Sequence, residues 1–373
     1  MDTSHLKPFV NPIANTWTPL APIASARTFH RTIDGYRPTP LVELPPIAAE
    51  LGVGRVFLKD ESHRLGLPAF KILGASWAVA NSLAEKFGIP VQGVSLDALR
   101  AAVGEHDVTL VTATDGNHGR AVSHLAKLLG IRARVYTPEG VSTSAIAGIR
   151  SEGAELIESD SIYDDVVRAA SASVLGKDNE LLIQDTSWPG YEAVPRWIVE
   201  GYTTLFSEID EQLAEVSTAP DVVVVPTGVG SLIQSAIEYY RGTSAFRPAI
   251  LCVEPVTAAC VLESLHADAL RSVDTSAGTI MTGLCTGSVS ELAWPSLRAG
   301  LDVAVAVTDD DARLAVDDLE ALGVDAGPCG ASTLAGTRKM VADRQLLDQL
   351  SLPESPIVVL LGTEGRSANP FTR

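Results

Sequence analysis

Short runs of apolar, often β-branched residues recur along this chain, and most are followed by a segment with helical spacing. The runs are RVFLKD (55–60), VTLVTAT (108–114), RARVYTP (132–138), DVVVVPTG (221–228), AILCVEP (249–255), VAVAV (303–307) and PIVVLLGTEG (356–365). Strands that are apolar throughout suit a sheet covered on both faces. Strand–helix alternation argues for mostly parallel pairing, because a parallel crossover needs a dozen or more residues and is usually a helix. Helices are expected over 69–88, stopping at Gly88 ahead of Pro90, and over 118–130, stopping at Gly130. Others are expected over 144–153, from 160 to about 174, from 231 to about 241, and over 309–323 with an N-terminal cap, and a short strand over 154–159. The fold class is therefore α/β with open sheets.

Several function classes are disfavoured by composition. A net charge of −18 with no Lys/Arg run repels a phosphate backbone, so no nucleic-acid partner is expected. No apolar run reaches the roughly 20 residues that span a bilayer, so no membrane partner is expected. MDTSHLKPFV lacks a basic start followed by an apolar stretch, which points to a cytoplasmic protein without a signal peptide. Cys252, Cys260, Cys285 and Cys329 have no zinc-type spacing and read as buried free thiols, so no metal is expected.

In open α/β sheets ligands bind beyond the carboxyl ends of the strands. Three such turns carry chemistry-bearing residues: TDGNHG, TGVGS and GTEG. In PTGVGSL (226–232) glycines let backbone N–H groups approach an anion, and the following helix adds its positive end. The stretch lacks the Gly-Lys-Ser/Thr ending of a P-loop and the full Gly-x-Gly-x-x-Gly of a dinucleotide site. A phosphate cradle and a tight βα turn with no ligand stay equally open. Lys71, in LPAFKILGAS, is either a solvated side chain or a lysine whose apolar neighbours lower its pKa and make it nucleophilic. Gly74, Ala75 and Ser76 behind it would leave room for a planar ring. Asp115, in VTATDGNHGRAV, is either a cap for the helix beginning near His118 or a reacting acid.

A phosphate cradle beside an imine-forming lysine suggests pyridoxal phosphate. PAFKILGAS and TDGNHGRAV resemble the lysine and asparagine motifs of the fold-type II pyridoxal-phosphate enzymes, the tryptophan synthase β family. FHRTIDGYRPTPL (29–41), LKDESHRLGLPAFKILGAS (58–76), TDGNHGRAV and QDTSWPGYEAVPRWIVEGY (184–202) together resemble the diaminopropionate ammonia-lyases within it, with motif order kept from about 29 to 365. Serine and threonine dehydratases share the lysine, asparagine and glycine-loop motifs but usually carry Ser-Gly-Asn where this chain has Asp-Gly-Asn.

The resemblance implies two open-sheet α/β domains with the cofactor in the cleft: a large domain of 1–89 and 176–373, holding Lys71 and the phosphate loop, and a small inserted domain of 90–175. Lys71 would form the internal aldimine and Phe70 would pack beside the cofactor. Asn117 would bond the 3-hydroxyl, and Thr227, Gly228, Val229, Gly230 and Ser231 would hold the phosphate. Thr363 would meet the pyridine nitrogen; a neutral hydroxyl there makes a weaker electron sink, which suits elimination over transamination. Asp115 and Lys71 would flank the substrate's α-carbon, one base for each enantiomer. Asp185 would be a second acid facing the substrate's β-ammonium; its bland alternative is a surface turn residue. His118 reads as a packing residue at the helix start, Glu364 lies near the ring without a role, and Lys59 with Glu61 reads as a structural pair. Two departures bear on the substrate: Arg366 and Ser367 stand where an acidic-containing continuation is usual, and GPCGAS (327–332) replaces a loop that often contains serine.

The expected activity is α,β-elimination of D- or L-2,3-diaminopropionate by a homodimer acting on a small amino acid. A dehydratase or β-replacement enzyme of the same fold is the nearest alternative. A non-catalytic binder of a phosphorylated ligand is the alternative of another class.

Overall fold

A computed structural model describes residues 6–14, 16–18, 26–114 and 116–371. The chain forms two compact units, one of Met1–Ala24, Pro38–His63 and Leu205–Arg373, the other of Ser25–Arg37 and Arg64–Thr204.

In chain order the strands are β1 (Phe9–Val10), β2 (Leu41–Glu43), β3 (Arg55–Asp60), β4 (Thr109–Ala113), β5 (Arg132–Thr137), β6 (Glu155–Glu158), β7 (Glu180–Leu182), β8 (Val222–Pro226), β9 (Ala249–Pro255), β10 (Val303–Val307) and β11 (Ile357–Gly362). The helices that matter below, numbered in chain order, are α1 (Ile72–Phe87), α2 (Asn117–Leu129), α3 (Tyr163–Ser173), α4 (Ala193–Glu215), α5 (Ser231–Glu238), α6 (Asp309–Ala321) and α7 (Pro328–Ala342).

The first unit carries a seven-stranded sheet in the order β1-β10-β9-β8-β11-β3-β2. Its five central strands run parallel and only the short edge strands β1 and β2 are antiparallel. Val222, Val224, Leu251, Val305, Val358 and Leu360 are fully buried or nearly so in its core. The apolar runs behave as expected of central parallel strands. From β8 the chain steps to β9 and β10, then returns across to β11 on the other side of β8. The carboxyl ends of β8 and β11 therefore flank the point where the winding direction reverses, where open α/β sheets bind ligands. Helix α6 starts with a reciprocal capping box: Thr308 Oγ1 accepts from Asp311 N at 3.1 Å and Asp311 Oδ2 accepts from Thr308 N at 2.9 Å.

The second unit carries a four-stranded parallel sheet, β6-β5-β4-β7. Its core includes Val111, Ala113, Val166, Val167 and Ala170. Its winding reverses between β4 and β7, so TDGNHG after β4 and QDTSW after β7 meet at its own switch point. Helices α1 and α2 stop at Gly88 and Gly130, both left-handed, as their sequences predict. Residues 90–175 lie wholly inside this unit. So does Lys71, which the sequence placed with the chain ends: α1 packs on α2.

Among the described residues, no helix is long and apolar enough to cross a membrane.

Candidate active site

Lys71 occupies the N-cap position of α1, with helical dihedrals and its side chain 23% exposed. The helix behind it, Ile72 through Ala84, is buried. Its Nζ lies 3.0 Å from Asp185 Oδ2. Asp185 is buried, at 8% exposure, and so is not a surface turn residue. It is carried there by β7. Gln184, also buried, accepts from Ala113 N at 2.9 Å and from Thr112 Oγ1 at 3.2 Å, which ties the end of β7 to the end of β4. The Gln184 amide in turn donates to Asp185 Oδ1 at 3.3 Å. Burial pushes the Asp185 carboxyl up, but the charges of Lys71 and then His118 outweigh it and hold the group at about 2. Asp185 is thus an anion at any physiological pH.

His118 does more than pack. Its Nε2 lies 2.8 Å from Ile183 O, a carbonyl that only accepts, so that nitrogen carries hydrogen. Its Nδ1 faces Asp185 Oδ2 at 3.9 Å. Asn117, half-buried, opens α2 next to it. The alternative reading of Asp115 was a helix cap. Thr114 already supplies such a bond: its Oγ1 accepts from Gly119 N at 3.1 Å and Gly116 N at 3.0 Å. Asp115 itself lies outside the described residues.

Phe70 is buried, with Lys71 Nζ 5.8 Å from its ring centroid and the Tyr202 ring 4.8 Å away. The small residues after Lys71 do leave room for a ring, but at Gly74 that ring is Tyr202. A Cβ there would sit 2.5 Å from Tyr202 Cε1. Sequence reasoning gave Tyr202 no role, although it ends the quoted stretch QDTSWPGYEAVPRWIVEGY.

The other candidates belong to the seven-stranded unit. Thr227 continues β8 and donates its N–H to Val253 O at 2.8 Å. Gly228 and Val229 are partly exposed, Gly230 is the left-handed N-cap of α5 (φ +104°), and Ser231 opens that helix. A side chain at Gly228 would crowd its neighbours: its Cβ would lie 3.2 Å from Gly283 O and 3.3 Å from Thr286 Oγ1. The helix start and glycine backbone form a donor set that fits a phosphate. Thr286 Oγ1 is buried beside it and makes no hydrogen bond among the described residues. Thr363 follows β11, buried. Its neighbour Glu364 accepts from Cys329 N at 3.4 Å and Asn369 Nδ2 at 3.4 Å, a structural tie to the start of α7. GPCGAS is therefore not a loop but the N-cap and first turns of a buried helix. Arg366 is engaged by Asp325 at 2.9 Å and by Glu320. Lys59 Nζ is paired with Glu208 Oε2 at 2.8 Å, both fully buried, while Glu61 accepts from Thr39 Oγ1 at 2.6 Å.

An amine, an adjacent carboxylate, a glycine turn at a helix start and a buried hydroxyl after a strand have the chemistry that an aldehyde- and phosphate-bearing cofactor would use. Comparison with known proteins agrees. The family model for pyridoxal-phosphate dependent enzymes matches residues 32–361. The diaminopropionate ammonia-lyase of Escherichia coli (strain K12) is 35% identical over 351 residues, 91% of this chain and 87% of the relative. That of Salmonella typhimurium (strain LT2) is 36% identical over 353 residues, 90% and 87% of the two chains. The crystal structure of the E. coli enzyme in complex with an aminoacrylate–PLP azomethine reaction intermediate superposes with a TM-score of 0.85 at 33% identity, covering 97% of this chain and 94% of that one.

Proposed function

The chain belongs to the pyridoxal-phosphate-dependent enzymes, in the branch that holds the diaminopropionate ammonia-lyases, and on that premise we propose that it eliminates ammonia from 2,3-diaminopropionate of either hand. One substrate and one water give pyruvate and two molecules of ammonia. The observation that carries this reading is the Lys71–Asp185 pair, 3.0 Å apart at the switch point of the smaller sheet.

Pyridoxal phosphate, when bound, supplies the electron sink that makes the substrate's α-proton acidic. Lys71 would hold its aldehyde carbon, with Phe70 beside the ring and Asn117 on the 3-hydroxyl. Thr227, Gly228, Val229, Gly230 and Ser231 would hold the phosphate, and Thr363 the pyridine nitrogen. Asp185, ionised above about pH 2, presents a fixed negative charge to a substrate with two ammonium groups. It also fixes the direction of the Lys71 amine, the base for one enantiomer. Asp115 is the base assigned to the other. An acid at that position, where the dehydratases usually have serine, supports the lyase over the dehydratase reading. The same reading carries a cytoplasmic homodimer, which sedimentation of the purified protein checks for its assembly.

The test is pyruvate release from D- and L-2,3-diaminopropionate, with the cofactor's absorbance followed in parallel. Both enantiomers are expected to react. Lys71→Ala is expected to lose the absorbance of the lysine-bound cofactor, and Asp115→Asn to lose the D-reaction by a factor of about 10²–10⁴ while sparing the L-reaction. A 2-oxo acid formed only from L-serine or L-threonine would replace this reading with a dehydratase.

A further inference from the structure

Tyr202 is fully buried, yet its hydroxyl makes no hydrogen bond among the described residues. Buried hydroxyls are almost always paired, so an orphan of this kind calls for a reason. Its surroundings supply one. The ring packs on residues to either side of Lys71 in sequence: Phe70, with centroids 4.8 Å apart, and Gly74, whose missing Cβ would sit 2.8 Å from Tyr202 Cζ. Positions 71 and 74 are three apart at the start of α1 and so share a helix face. The para carbon that bears the hydroxyl thus takes the space of a side chain at position 74, on the face from which Lys71 projects. Ile198 packs at the same point, with Cγ2 2.8 Å from that Cβ position, and its apolar surface offers the phenol no partner.

We propose that Tyr202 is a positioning residue for Lys71, its hydroxyl oxygen accepting one N–H of the lysine amine while Asp185 accepts another. An ammonium has three donors, and two acceptors in fixed directions leave the third facing the bound ligand. Burial, helped by the nearby charge of Asp185 and opposed by that of Lys71, raises the phenol to about 12, so it meets the amine as a neutral group. The proposal rests on the reading above only in taking Lys71 as the cofactor's lysine.

Tyr202→Phe keeps the ring and removes the hydroxyl. The test uses full-length protein freed of cofactor and no amino-acid substrate. It measures, as a function of pH, the rate at which added pyridoxal phosphate is bound through Lys71, read by absorbance. The hydroxyl favours the charged amine, so its loss is expected to move the midpoint of the rate profile down by about one pH unit, with the thermal transition unchanged. A looser pocket would change the plateau rate and leave the midpoint in place. Equal midpoints in the two proteins would overturn the proposal. A wild-type protein that never binds the cofactor through Lys71 would overturn both it and the reading it rests on.

Discussion

Lys71 and Asp185 are 114 positions apart, and no periodicity links them; only the resemblance of the motifs placed both at one site. The structure adds what the motifs could not show, that the acid is buried and held between Lys71 and His118. That environment has a consequence for stability. The Asp185 carboxyl stands at about 2 in the folded chain against its usual 3.8. A depressed acid contributes stability that is complete above the unfolded value and is lost as pH falls through the folded one. The shift is worth about 2 kcal/mol, present above about pH 4 and gone near pH 2. Urea unfolding of wild type and Asp185→Asn from pH 5 to 3 is expected to show a gap that narrows as pH falls. Two parallel curves would mean that the pair does not couple to folding. Tyr202 was illegible for the same reason that Asp185 was nearly so. Nothing in one dimension tells which distant ring fills the space left at Gly74.

At the scale of elements, segments with clear punctuation were the legible ones. Helix α2 was expected over 118–130 and runs Asn117–Leu129, and β9 and β10 fall on the residues expected. Helix α7 was missed because PCGASTLAGTRKMVA has no polar face to set a period. It is buried on nearly all sides, against α6 and four strands of the larger sheet, and small residues are what let it fit. The helix expected from Ser231 to about Arg241 ends at Glu238 and continues as a wider π-type turn, Tyr239–Thr243. Helix α4, 23 residues long, was read as a motif and not as an element. Its second half brings Glu208 to Lys59 of β3, where Lys59 also donates to Thr39 O and Gln212 Oε1, both at 2.8 Å. Replacing both ions by apolar groups could be neutral, but removing one leaves the other charged and buried. Glu208→Ala is expected to cost about 3–5 kcal/mol in denaturant unfolding, and a loss below 1 kcal/mol would show that the pair relaxes into solvent.

For the molecule as a whole, each unit has its own parallel or mostly parallel sheet and its own apolar core. Its local opening should therefore be governed by its own contacts and answer to its own ligands. The phosphate-binding turn assigned to Thr227–Ser231 belongs entirely to the seven-stranded unit. A ligand that binds only the folded form stabilises it by RT ln(1 + [L]/Kd), about 2.7 kcal/mol at a hundredfold excess over Kd. Inorganic phosphate at that excess is thus expected to slow amide exchange in β8 and β9 by up to about a hundredfold, wherever exchange follows opening of that unit. Peptides from β4 and β5 should exchange as before. Native-state exchange read by mass spectrometry separates the cases. Protection confined to 222–255 supports the turn as the anion site and the units as separate unfolding bodies. Equal protection of 109–137 would mean that the chain opens as one cooperative body. No protection in either would remove the phosphate from Thr227–Ser231.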